Sequence, residues 1–133
     1  MGAVGSGQVA KSCNQAIVCA TVALWAEVIA YARRCGIDPD ALVDALQGGW
    51  ADSEIRRVHG HAMAAGKFRR APGSIMLKDL EIIGDMARAT ASPMPVTATV
   101  TSLFRLLLAQ GHATGGVTAV VQLYGAPEPS KAT

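Results

Sequence analysis

Between Gln8 and Arg34 the chain runs for 27 residues without a glycine or a proline, the two residue types that most readily interrupt a helix. Ile17, Leu24, Trp25, Val28, Ile29 and Ala32 recur through it at helical spacing, so the stretch is read as one long helix. At roughly 1.5 Å of rise per residue it reaches about 40 Å, the width of a small domain, which marks it as a central or domain-joining element. Its apolar residues wrap most of the circumference, predicting neighbours on several sides. Ser6 is placed to cap its start and Cys35-Gly36 to stop it. The longest uncharged apolar run, Ala16 to Ala26, falls short of the ~20 residues of a membrane span before Glu27 interrupts it. A buried helix is expected instead.

The rest of the chain reads as shorter helices separated by turn chemistry. Asp38-Pro39-Asp40 supplies an N-cap, a first-turn proline and an acid at the positive end of a helix that runs to Gly48-Gly49, with Leu42, Val43 and Leu46 facing inward. Asp52 or Ser53 caps a third helix carrying Ile55, Val58, Ala62 and Met63 as far as Gly66. A basic loop from Lys67 to Gly73 leads to a fourth helix opening at Ser74, with Leu77, Leu80 and Ile83 on its inner side. Pro93 and Pro95 break that helix. A fifth, with Val96, Val100, Leu103, Phe104 and Leu107, ends near Gly111, and a short sixth spans Val117 to Tyr124. No segment alternates apolar and polar residues between hairpin turns, and no repeat is visible. The fold class is therefore all-α, a helical bundle around one long N-terminal helix, with residues 1–125 as the domain and 126–133 as a flexible tail.

Composition narrows the partners. With 133 residues, 50% of them hydrophobic and 17% charged, the chain holds one domain with a core of its own. A net charge of +2 gives no ground for a nucleic acid or a membrane surface as partner, although Arg33-Arg34, Arg56-Arg57 and Lys67 with Arg69-Arg70 form basic clusters. Three cysteines without CxxC spacing speak against a disulfide framework or a zinc site and suit a reducing cytoplasm. His59 and His61, two residues apart on a helix, point in nearly opposite directions and cannot share a metal. Met1-Gly2 opens a loose myristoylation match and no secretory signal.

The residues that could carry chemistry sit near the start of the long helix. Glycines at 2, 5 and 7 read GxxGxG with no strand before them, so they are no dinucleotide fingerprint but a turn that lets a ligand approach the helix start closely. Lys11, Asn14 and Gln15, spaced three and four apart, place an amine and two amides on one face. No other charged residue lies between Met1 and Glu27; if the site is closed from water, desolvation brings Lys11 toward the range where it can exchange a proton. Lys78 near the start of the fourth helix opposes the helix dipole, as a cation beside a bound anion would, or else is tethered to Asp79 or Glu81.

The run Gly5-Ser6-Gly7-Gln8-Val9-Ala10-Lys11-Ser12-Cys13-Asn14-Gln15 resembles the segment that opens the C-terminal domain of the β-hydroxyacid dehydrogenases, the family of 3-hydroxyisobutyrate dehydrogenase and tartronate semialdehyde reductase. Ala26-Glu27, Gly36-Ile37-Asp38, Gly66-Lys67-Phe68, Lys78-Asp79-Leu80 and Pro93-Met94-Pro95 continue the likeness over nearly the whole chain. The resemblance implies the helical fold of 6-phosphogluconate dehydrogenase-like C-terminal domains. It implies Lys11 as the catalytic acid/base, Gly5, Ser6, Gly7, Asn14 and Gln15 at a small hydroxy-acid substrate, and Lys78 at an NAD or NADP cofactor, with no metal. It also implies a homodimer. The sequence departs from the family pattern in lacking the N-terminal Rossmann domain, in a shorter Lys67-to-Pro72 stretch, and in Gly116 where an acid is usual. Two readings follow: the substrate-binding and dimerisation domain of an NAD(P)-dependent dehydrogenase, inactive without its nucleotide-binding domain, or a non-catalytic association module that pairs with a separate Rossmann-domain chain or a full-length relative.

Overall fold

The computed structural model describes residues 5–68 and 71–125, so the expected tail at 126–133, Gly2 and the Arg69-Arg70 pair lie outside the described residues. Five α-helices follow one another, α1 (Ser6–Arg34), α2 (Pro39–Ala45), α3 (Glu54–Ala64), α4 (Ser74–Ala89) and α5 (Pro95–Ala109), before a final 3-10 helix (Val117–Tyr124). Among the described residues there is no strand, only one isolated bridge between Ala71 and Gly115 that ties the α3–α4 loop to the segment before the 3-10 helix. The all-α expectation is met.

The ends of the helices follow local chemistry. Gly5, at φ 98°, is the residue that turns the chain into α1, and its carbonyl accepts from the N–H groups of Gln8 and Val9 at 3.0 and 3.1 Å. Ser6 is thus the first helical residue and not the cap expected of it. Asp38 caps α2 by accepting from Asp40 N–H, and Ser53 caps α3 by accepting from Arg56 N–H, as the sequence indicated. Four helices close with the same pair of backbone bonds, in which the two residues after the cap donate back to the last turn: Gly36 to Arg33 and Ile37 to Ala32, Gly66 to Met63 and Lys67 to Ala62, Ala91 to Arg88 and Ser92 to Ala87, Gly111 to Leu108 and His112 to Leu107. The motif needs a left-handed residue. Glycine supplies it three times, and Ala91, at φ 52°, supplies it after α4.

The long helix is the axle of the fold. Helices α2 to α5 and the 3-10 helix all pack on α1, and nine of the twenty buried apolar residues among those described belong to it. Cys19, Val22, Ala26 and Ile29, spaced three, four and three apart, are fully buried against Val43 of α2, Met63 of α3, Leu80 of α4, Phe104 and Leu107 of α5, and Val120 of the 3-10 helix. By length and composition α1 could also cross a membrane, but 44% of its most apolar window is buried inside the protein, as in the core helix of a folded domain. Wrapping is incomplete, however. Ile17 and Leu24 are 68% and 59% exposed, and Val58 and Val96, counted in the apolar pattern of their helices, are exposed as well. Among the described residues, five elements shorter than α1 leave one of its sides bare.

Arginine side chains join the elements. Arg33 donates to the Ala64 carbonyl at the end of α3, and Arg34 donates to the Tyr124 carbonyl at the end of the 3-10 helix. Arg56, buried in α3, donates to Asp52 at 2.6 Å and to the Val43 carbonyl of α2 at 3.0 Å, and Arg57 pairs with Glu54. These four arginines of the basic clusters therefore hold helix ends and loops.

Candidate functional site

The spacing of the first three turns of α1 decides which side chains can meet α4. Gln8, Lys11, Ser12 and Gln15 stand at steps of three, one and three, one stripe of the helix. Opposite them α4 brings Lys78 and Asp79, and Ile82 and Ile83 behind; together these residues line a cavity of about 130 Å³. Ile83 is buried, giving the cavity an apolar floor, and Ser12 Oγ reaches Met86 Sδ at 3.5 Å just below. Residues more than sixty positions apart thus share one opening.

Lys11 and Lys78 are both exposed at this opening, and among the described residues neither enters an ion pair. The tether considered for Lys78 is not formed: Glu81 pairs with Arg105 across to α5, and Asp79 turns to α1. Gln15 Nε2 donates to Asp79 Oδ2 at 2.9 Å, and Asn14 Nδ2 donates to Gln15 Oε1 at 3.4 Å, so the two amides and the carboxylate form one line. Asn14 itself is exposed and lies outside the cavity lining. Gly5, Ser6 and Gly7 make the first turn of α1, beyond that lining, with Gly5 and Gly7 exposed and Ser6 half-buried. Among the described residues nothing encloses Lys11, which is exposed.

Asp79 is the site residue that the sequence did not single out. In the sequence it stood only as a neighbour of Lys78 in the second turn of α4, which says nothing about a partner on another helix. The carboxylate is half-buried between α1 and α4. Beneath it the Cys19 thiol, one turn beyond Gln15, is pushed up to about 12, chiefly by burial and further by the charge of Asp79. No group of three or more His, Cys, Asp or Glu side chains that could hold a metal ion occurs among the described residues; His61 turns both ring nitrogens to Asp40 and Asp44.

A larger groove of about 620 Å³ opens on the bare side of α1, lined by Leu24, Trp25 and Val28, by Leu46 and Trp50 from the turns around α2, and by Val96 and Leu103 of α5. Trp50 projects wholly into solvent at its rim, at 108% relative exposure.

A family model described as NAD-binding of NADP-dependent 3-hydroxyisobutyrate dehydrogenase matches residues 5–124, which includes every described residue of the Lys11 cavity. The chain belongs to this family. A 2-hydroxy-3-oxopropionate reductase of Escherichia coli is 36% identical over 125 residues, covering 92% of this chain and 42% of the relative. Among solved structures, the crystal structure of a 3-hydroxyisobutyrate dehydrogenase from Salmonella typhimurium superposes with a TM-score of 0.84 at 25% identity, over 90% of this chain and 42% of that one. A Mycobacterium tuberculosis 3-hydroxyisobutyrate dehydrogenase, solved with L-serine, gives 0.82 at 25% identity, over 94% of this chain and 45% of that one. The chain therefore spans about two-fifths of the length of the curated relatives it matches. The helical fold around α1 is the fold of these dehydrogenase chains in the part that matches.

Proposed function

We propose that this chain is the C-terminal, substrate-binding and dimerisation domain of an NAD(P)-dependent β-hydroxyacid dehydrogenase, in which Lys11 is the acid/base for a small 3-hydroxy acid or its semialdehyde. One observation carries the reading: Lys11 and Gln15 of α1 and Lys78 of α4 line a single cavity, inside the region that the family model matches. In the reducing direction the Lys11 ammonium gives a proton to the carbonyl oxygen; in the oxidising direction its free amine takes the hydroxyl proton. Gln15, Asn14 and the N–H groups of the Gly5-Ser6-Gly7 turn hold the substrate hydroxyl and carboxylate. The nicotinamide, when bound, supplies or accepts the hydride. Lys78, exposed and free of a carboxylate partner among the described residues, fits a contact to that cofactor, while the described residues contain no strand-and-glycine turn to cradle its diphosphate. A nucleotide-binding domain, in the same polypeptide or a separate chain, is therefore part of the reading, and by covering the cavity it would also remove Lys11 from water. The same reading includes a homodimer and a reducing cytoplasmic setting, to which the three free cysteines are suited.

The test is a fusion of this chain to the nucleotide-binding domain of a family member. The chain alone is expected to leave 3-hydroxyisobutyrate and NAD(P) unreacted, and the fusion to turn them over. Lys11→Ala in the fusion should lower kcat by about 10²–10⁴-fold, the usual worth of a positioned proton donor, with the helical circular dichroism unchanged. Unaltered turnover in that variant would remove Lys11 from the chemistry.

A second reading is favoured by Gly116. Where the resemblance leads one to expect an acid, this residue is buried at φ 66°, ψ −166°, and its N–H donates to the Ala71 carbonyl. That conformation is confined almost wholly to glycine. A chain that has given up an acid here serves as a non-catalytic association module, and a folded fusion that binds NAD(P) yet turns over none of the family's substrates decides for it.

A further inference from the structure

From the line of side chains between α1 and α4, we infer that Asp79 is a positioning residue that sets the direction in which the Gln15 amide faces a bound hydroxy acid; this deepens the reading of Lys11 and Gln15 as a substrate site and rests on it. A carboxylate accepts hydrogen bonds and donates none, so a glutamine amide facing it must turn its nitrogen toward it. Gln15 does so, at 2.9 Å. Its oxygen then faces away and can only accept, and Asn14 Nδ2 meets it at 3.4 Å. Gln15 is thereby held against the half-turn flip that would exchange oxygen for nitrogen, which leaves its second N–H for a ligand. Without Asp79, Gln15 would present oxygen and nitrogen to the cavity in turn, and an oxygen repels the carboxylate of the ligand.

Asp79 is also the one carboxylate among the residues lining a cavity that two lysines share. It partners the amide and neither ammonium, leaving both cations to an anionic ligand. Its half-buried place above Cys19, whose thiol feels its charge, holds it between the helices instead of swinging in solvent.

The experiment uses the chain itself, labelled with nitrogen-15, and 3-hydroxyisobutyrate as probe. In the free chain the Gln15 side-chain amide signals should be displaced and slow to exchange. Asp79→Leu should return them to the position of a solvated glutamine and weaken probe affinity about tenfold, the worth of a hydrogen bond to a charged group. Asp79→Asn, isosteric and still able to accept, should weaken it less and guards against a leucine variant that fails to fold. Gln15 signals that ignore both substitutions overturn the positioning role. Signals that move while affinity stays constant also overturn it, showing a bond that only ties α1 to α4. If the unaltered chain gives no shifts at Lys11 or Gln15 with the probe, the substrate-site reading fails and this inference with it, an outcome separable from the other two.

Discussion

At the scale of single residues, the clearest mismatch between side chain and backbone is Ala91. It stands at φ 52° in the closing motif of α4, where α1, α3 and α5 each use glycine. A Cβ in the left-handed region costs roughly 1–2 kcal/mol, partly offset because alanine restricts the unfolded chain more than glycine does. Ala91→Gly is therefore expected to stabilise the protein by about 0.5–1 kcal/mol, read from the midpoint of urea unfolding at unchanged slope. A destabilised variant would show that Ala91 makes packing contacts worth more than the strain.

At the scale of elements, α2 and α3 are the pair whose contact is most electrostatic. Gly60 lets them approach: a Cβ there would stand 2.8 Å from Val43 Cγ1. Two charged clusters then hold the approach at either end. Asp52, which accepts from Arg56 and from the Gly48 N–H, is lowered from 3.8 to about 2, mainly by the Arg56 bond. His61 is raised above 6.5, first by its bond to Asp40 and also by Asp44, with carboxylates on both ring nitrogens. The two linkages have opposite signs. A carboxylate with a lowered pKa contributes stability that is present above 3.8 and lost as pH falls toward 2; a histidine with a raised pKa contributes stability that is present below 6.5 and lost as pH climbs through its folded value. His61, Asp40 and Asp44 are each more than half exposed, so that contribution is small, whereas Arg56 is buried and shields its bond to Asp52 from solvent. Thermal midpoints measured across pH should fall on both flanks, with His61→Gln flattening the upper flank and Asp52→Asn the lower one. A His61→Gln protein that keeps the full upper decline would deny the clamp.

At the scale of the whole molecule, what stands out is the side of α1 that the described residues leave uncovered. Ile17, Leu24 and Tyr31 recur every seven residues on it, each more than half exposed, and the groove beside Trp50 lies along the same side. Exposed apolar side chains in such a row are costly in water and are the physical support for the proposed homodimer. Light scattering is expected to give twice the chain mass at micromolar concentration, and Leu24→Glu with Trp50→Ser to give a monomer of unchanged helicity. A monomer from the unaltered chain at high concentration would count against self-association through this face.

Much of this architecture was legible before any coordinates. The uninterrupted run to Arg34, the Asp38-Pro39 and Ser53 starts, and the glycines after α1, α3 and α5 are local signals, since capping and chain reversal depend on a few neighbouring residues. For the same reason Lys11, Asn14 and Gln15 could be placed on one face, and several short motifs in order could point to the family. Spacing could not say which apolar face would find a partner. Ile17 and Trp25 carry the same helical periodicity, yet one is exposed and the other buried, because the shorter helices cover only part of α1. Nor could it place Ser6, which the positive φ of Gly5 moved from cap to first turn. Asp79 belongs to the same class. A hydrogen bond across 64 positions exists only once α1 and α4 are packed, so the composition of the first helix determined which groups were available, and the crossing of two helices decided which of them would meet.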